Sequence, residues 1–160
     1  MPSRESNASH RPGAAMTSLV HIVCPHCDAV NRMPQARLSD RGKCGKCHLP
    51  LFEGHPVDVT AARFERHVGQ SGIPVLVDFW APWCGPCRMM APEFETAAVR
   101  LEPGVRLLKL DTEASPEIAA RFGIRSIPTL ILFADGREIG RTSGAMNAAG
   151  LVSRVASQAA

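Results

Sequence analysis

The chain has 160 residues, 45% of them hydrophobic, enough for one ordinary domain and a small accessory segment. No run approaches the roughly 18 apolar residues of a membrane span, and residues 1–16 lack the apolar core of a secretion signal, so a soluble, cytoplasmic protein is expected. The formal charge of +3 lies in front, where residues 1–54 hold seven Lys/Arg against four Asp/Glu while residues 55–160 hold eleven of each. Metal-bound thiolates would offset most of that excess, and the aromatic residues lie in apolar strands rather than beside arginines, so no nucleic-acid partner is expected.

Residues 1–17 mix Pro, Ser, Asn, Gly and Ala without an apolar period and read as a disordered tail, with Met16 as an alternative start. A zinc-binding module is expected over residues 18–54. The strand Leu19 to Val23 leads into Cys24, and Cys24, Cys27, Cys44 and Cys47 stand as Cys-x2-Cys-x16-Cys-x2-Cys, the spacing of a four-cysteine zinc site. Below about 40 residues a segment with few large apolar side chains needs metal or disulfides to fold. A structural zinc ion supplies on the order of 10–16 kcal/mol. The rival reading takes Cys24-Pro25-His26-Cys27 as a strongly oxidising dithiol, but Pro34 interrupts any helix after Cys27 and a second matched pair follows. Four thiolates complete a tetrahedron, which leaves His21, His26 and His48 as spare ligands. His10, His55 and His67 are expected in solvent. A second strand is expected around Leu51-Phe52, the rest of the segment being turn and loop, with a linker at Gly54-His55-Pro56.

From residue 55 to 160 a second domain is expected, in which short apolar strands alternate with helical patterns. Strands are predicted at Val57 to Val59, Val75 to Trp80, Val105 to Asp111, Thr129 to Ala134 and Glu138 to Ser143. Helices are predicted at about Ala61 to Val68, Cys84 to Leu101, Pro116 to Phe122 with Ser115 able to cap it, and Asn147 to Ser157. Asp135-Gly136 reads as a hairpin turn, and Pro92 should kink the long helix. The expectation is an α/β fold, a mixed sheet of about five strands flanked by four helices, with parallel crossovers.

Where strand Val75 to Trp80 gives way to a helix stand Cys84-Gly85-Pro86-Cys87. A helix start offers unpaired N–H groups and partial positive charge, so Cys84 should ionise easily and act as nucleophile. Cys87, one turn on, can close a disulfide with it and serves as the resolving thiol. Asp78 interrupts an otherwise apolar strand and should be buried, with a raised pKa that suits it to accept the Cys87 proton; Lys109, within Leu107-Leu108-Lys109-Leu110, is its natural counter-ion. Gly85 and Pro86 bring no cation to the dithiol, which favours a reductant over an oxidant or isomerase.

The run Asp78-Phe79-Trp80-Ala81-Pro82-Trp83-Cys84-Gly85-Pro86-Cys87 resembles thioredoxin. The match continues through Lys109-Leu110-Asp111, Phe122-Gly123-Ile124-Arg125-Ser126-Ile127-Pro128-Thr129 and Asp135-Gly136, over roughly residues 57 to 158. With the cysteine segment in front, the chain is similar to the thioredoxin 2 type. The resemblance implies the thioredoxin fold preceded by a zinc-ribbon-like module, and a protein-disulfide reductase that donates electrons to disulfide-containing target proteins. It implies a cis Pro128 that brings Ile127 beside Cys84, and a docking surface of Trp83, Ile127 and Gly144 on which a target chain pairs like an added strand. A flavin-bearing thioredoxin reductase would restore the dithiol, so the chain itself should bind one Zn2+ and no flavin or nicotinamide. A monomer is expected. Two further readings stand beside this one: oxidation of the zinc cysteines releases metal and alters activity, or the module mainly docks partners.

Overall fold

A computed structural model describes residues 18–159. The tail expected at residues 1–17 lies outside the described residues. The front segment is a two-stranded antiparallel ribbon, β1 (Leu19–Val23) and β2 (Val30–Pro34), paired from Leu19↔Pro34 to Val23↔Val30. A 3-10 turn, Gln35–Asp40, follows.

Five strands form the main sheet: β3 (Val57–Asp58), β4 (Val75–Trp80), β5 (Arg106–Asp111), β6 (Thr129–Ala134) and β7 (Arg137–Ser143), in the order β3-β5-β4-β6-β7. β3, β5 and β4 run parallel, and β6 and β7 are antiparallel additions. Four helices among the described residues cover the sheet: α1 (Ala61–Gln70), α2 (Gly85–Leu101), α3 (Pro116–Arg121) and α4 (Ala148–Ala159). This is the mixed five-stranded α/β architecture that alternation of strand and helix patterns implies.

Local chemistry explains the boundaries. Thr60 caps α1, its Oγ1 accepting from the Arg63 amide. Ser115 holds the corresponding place before α3, but its hydroxyl makes no cap; its carbonyl takes the Ile118 and Ala119 amides instead. Asp135 and Gly136 both have positive φ, 53° and 78°, as a type I′ hairpin requires.

β4 is buried on both faces, which is why it reads as a continuous apolar run. Val75, Val77 and Phe79 pack on one side with Phe64 of α1 and Phe133 of β6, and Phe64, Phe79, Phe122 and Phe133 meet mostly edge-on at 5.3–6.3 Å. Leu76 packs on the other side with Met90, Phe94 and Ala97 of α2 and Leu151 and Val155 of α4. By the alternation of a strand, Asp78 shares the α2 face.

The ribbon departs from expectation in two places. Leu51 and Phe52 form no strand; both are buried in the ribbon core, and a short buried apolar pair has the same signature as a strand. The partner of β1 is β2, a half-exposed segment ending in Pro34. The second correction is His67, expected in solvent but 1% exposed: its Nε2 lies 2.9 Å from Oδ1 of Asp28, the residue after Cys27. Burial pulls its pKa down to about 4, so the ring is neutral and Nε2–H donates.

The ribbon docks on the end of the sheet where β4 and β5 begin. Arg63 grips the Asp28 carboxylate with Nε and Nη2 at 2.9 Å each. The buried guanidinium of Arg106, first residue of β5, donates to the carbonyls of Val23 and Leu51 and pairs with Glu102 at 3.0 Å. The Gly72 amide donates to the His21 carbonyl, and Ile73 joins the ribbon core. β4 carries the chain from this end to the other, a span of roughly 20 Å for six residues.

Candidate functional site

At the far end of β4 the chain turns through Ala81 and enters α2 with Cys84 as its cap residue and Pro86 in its first turn. The Cys84 amide bonds the Ala81 carbonyl, and the Cys84 carbonyl takes the Arg88 amide, so the turn is fixed on both sides. Cys84 and Cys87 are joined as a disulfide, with Cα atoms 5.2 Å apart. The Cys84 sulfur accepts from the Cys87 backbone N–H at 3.2 Å, a donor that favours negative charge on that sulfur. Gly85 is half-buried and Pro86 exposed, and neither carries a charge.

Ala81, Cys84 and Cys87 form a small buried cluster with Trp80 and Ile127 against it. The Ile127–Pro128 peptide is cis, and the Ile127 carbonyl oxygen lies 3.7 Å from the Cys84 sulfur. Gly144, at φ 96°, donates its amide to the Pro128 carbonyl at 2.9 Å, which brings a third loop to the same corner. Trp83 is 65% exposed beside the cysteines, whereas Trp80 is half-buried. Cys84 and Cys87, paired by their spacing, are linked by this chain of contacts to Ile127, Pro128 and Gly144, which the resemblance places beside them.

Asp78 is 1% exposed, and its Oδ1 has no hydrogen-bond partner among the described residues. Burial raises its pKa to about 7, against a smaller opposing pull from Lys109. Lys109 sits opposite Asp78 in the β4–β5 register, yet its Nζ lies over the Trp80 ring, 4.6 Å from the centroid, rather than on the carboxylate. Its role toward Asp78 is a field across the strand pair rather than a contact. Thr112 went unread in the sequence: its amide and Oγ1 both donate to the Trp80 carbonyl and fix the end of β4.

The second constellation is in the ribbon. The sulfurs of Cys24, Cys27, Cys44 and Cys47 all lie within 4.8 Å of one another, with Cys24–Cys47 and Cys27–Cys44 at 3.6 Å. A tetrahedron of metal–sulfur bonds near 2.3 Å would separate its sulfurs by about 3.8 Å, so the donor set fits a zinc ion. The two knuckles repeat one pattern. Cys24 Sγ accepts the amides of His26 and Cys27, and Cys44 Sγ those of Lys46 and Cys47, at 3.3–3.5 Å. Asp28 and His48, at φ 65° and 66°, return their amides to the Cys24 and Cys44 carbonyls. Such N–H donors favour thiolates: those led by Cys47 pull Cys44 down to about 5, while burial pushes Cys24 up to about 12. Four thiolates this close need a cation between them.

No strand pattern flagged Asn31, whose Oδ1 accepts from the Gly45 amide and whose Nδ2 points to Cys44 Sγ. Among the histidines considered as spare ligands, His26 is held 2.7 Å from Glu53.

Disulfide exchange through its own cysteine pair is the chemistry this corner can perform. Comparison with known proteins agrees. The Thioredoxin family profile matches residues 55–157, and that described as Thioredoxin 2, N-terminal, matches residues 23–48. Thioredoxin C-3 of Corynebacterium nephridii is 45% identical over 78% of this chain and 86% of its own length, and thioredoxin 1 of Synechococcus elongatus is 50% identical over 55% and 82%. A crystal structure of chloroplastic thioredoxin z superimposes with a TM-score of 0.61 at 25% identity, covering 66% of this chain and 95% of that one. The chain belongs to the thioredoxin family, is of the thioredoxin 2 type, and is a thioredoxin-type disulfide oxidoreductase.

Proposed function

We propose that the protein is a cytoplasmic protein-disulfide reductase. The observation that carries this is the placement of Cys84 at the start of α2, its sulfur accepting the Cys87 amide and facing the Ile127 carbonyl. In the reduced state the Cys84 thiolate attacks one sulfur of a target disulfide, and the other target sulfur leaves as a thiolate that takes a proton from water. Cys87 passes its proton to the Asp78 carboxylate and attacks Cys84, which releases the second target sulfur and closes Cys84–Cys87. Two electrons have moved to the target. A flavin-bearing thioredoxin reductase returns them.

Trp83, Ile127, Pro128 and Gly144 form the docking surface. The free edge at Ile127 lets an extended target segment pair beside Cys84. With no cation from Gly85 or Pro86, the couple belongs near the about −270 mV of thioredoxins rather than the about −180 mV of isomerases, a gap of roughly 4 kcal/mol. Cys24, Cys27, Cys44 and Cys47 hold one structural Zn2+, and four thiolate ligands persist in a reducing compartment, which supports the cytoplasm. Zinc supplies the positive charge that lets these sulfurs ionise together, and the knuckle amides hold the thiolates in place. The ribbon is packed on the main domain through Asp28, Arg63 and Arg106, and any effect of its oxidation on the dithiol travels through those contacts.

Insulin reduction coupled to thioredoxin reductase and NADPH tests the proposal. Cys84→Ser should abolish it, and Cys87→Ser should trap a mixed disulfide through Cys84. A measured potential above about −200 mV would instead make the protein an isomerase or oxidant.

A further inference from the structure

We propose that Glu93 is a positioning residue for target docking, holding the loop Gly144–Met146 against the dithiol through the first turn of α4. The inference rests on the docking surface proposed above.

Glu93 lies on α2, the helix that carries Cys87, directly after Pro92. Its Oε1 accepts the backbone N–H of Ala148, the first residue of α4, at 2.8 Å. A helix start has unpaired amides and partial positive charge, so a carboxylate there is held by both hydrogen bond and field. α4 already has a local cap, since Asn147 Oδ1 accepts the Gly150 amide at 2.8 Å. The Glu93 contact therefore adds something a local cap cannot: it ties the beginning of α4 to a different helix.

What lies between these ties is the loop. Gly144 is fixed to the Pro128 carbonyl at one end, and Ala148 to Glu93 at the other. Pro128 follows Ile127, whose carbonyl faces the Cys84 sulfur. The contacts close a circuit from Cys84 along α2 to Glu93, across to Ala148, back through the loop to Gly144, and over Pro128 and Ile127 to Cys84. Gly144 and Ala145 are exposed, and Met146 is only partly buried against the α2–α4 core. Without the Glu93 tie, the body of α4 stays packed on α2 through Leu151 and Val155, but its first turn and the far end of the loop keep only Met146, buried Ala148 and the local cap. Loosening the loop raises the ordering cost a target must meet on docking, while the sulfurs keep their surroundings.

Steady-state kinetics with insulin and with a small aromatic disulfide tests this. Glu93→Ala should raise KM for insulin about threefold to tenfold, the effect of losing a charge-assisted hydrogen bond that holds the docking loop, while kcat and the small-disulfide rate stay within about twofold. Glu93→Gln keeps an acceptor for Ala148 without the charge and should bring KM to within about twofold of the parent value. If Glu93→Ala does not fold, Glu93→Asp, one methylene too short to reach, takes its place with the same expectation. A variant that lowers the melting temperature but leaves KM for insulin unchanged, while Trp83→Ala raises it, overturns the proposal and spares the docking surface. An unchanged KM in both overturns the docking surface and the proposal with it.

Discussion

Asp78 has one carboxyl oxygen with no partner among the described residues, in a strand buried on both faces. Its pKa rises from 3.8 to about 7 on folding because burial disfavours the charged form. The native state therefore binds the proton more tightly than the unfolded chain, and stability falls as pH climbs from about 4 to about 7, then levels off. Asp78→Asn should remove that loss, stabilising the protein by roughly 2–4 kcal/mol at pH 8 and by little at pH 4, as read from denaturant melts. The same substitution should slow insulin reduction and erase an inflection near pH 7 in its rate profile. An unaltered profile would rule Asp78 out as the proton acceptor.

Between elements, the loop before β4 comes close to the backbone of β1. A Cβ at Gly72 would stand 2.7 Å from Val20 Cγ2 and 2.8 Å from the His21 amide, so only glycine lets these backbones meet. Gly72→Val should push β1 away and weaken the ribbon contact by about 1–3 kcal/mol. A chelator should then strip metal from the ribbon several-fold faster, while insulin reduction at the distant dithiol is kept. Equal chelation rates would mean that the ribbon holds its metal without support from the main sheet.

On the scale of the molecule, two chemical sites occupy opposite ends of one sheet. The ribbon core includes Ile73 from the main domain, and Arg106 is buried between the two parts, so the ribbon is built into the fold rather than tethered to it. Removing zinc by chelation should lower the melting temperature and free the four cysteines for alkylation, with insulin reduction retained within about twofold at 25 °C. A tenfold fall would show that the far end of the sheet governs the dithiol.

Much of this was legible in the residues. The apolar run of β4, the helix start at Cys84 and the turn at Asp135-Gly136 announce themselves because each depends on neighbours a few positions away. The paired knuckles are equally local. The ribbon was harder: β2, with Asn31 and Arg32 inside it, alternates too weakly to stand out, and Leu51-Phe52 imitated a strand. His67 stands three residues after Phe64, on the buried face of α1, but nothing local names its partner, Asp28, 39 residues earlier.

From the chain alone came the three cysteine pairs, the order of strands and helices, and the exchange chemistry of Cys84 and Cys87, all of which follow from spacing and helix or strand period. Only the tertiary structure decided which partners meet: Asp28 with Arg63 and His67, Arg106 with the carbonyls of Val23 and Leu51, Glu93 with the start of α4, and Lys109 with Trp80 instead of the carboxylate beside it. Polar contacts between distant segments depend on how the packed elements are oriented, and that orientation leaves no period in the sequence.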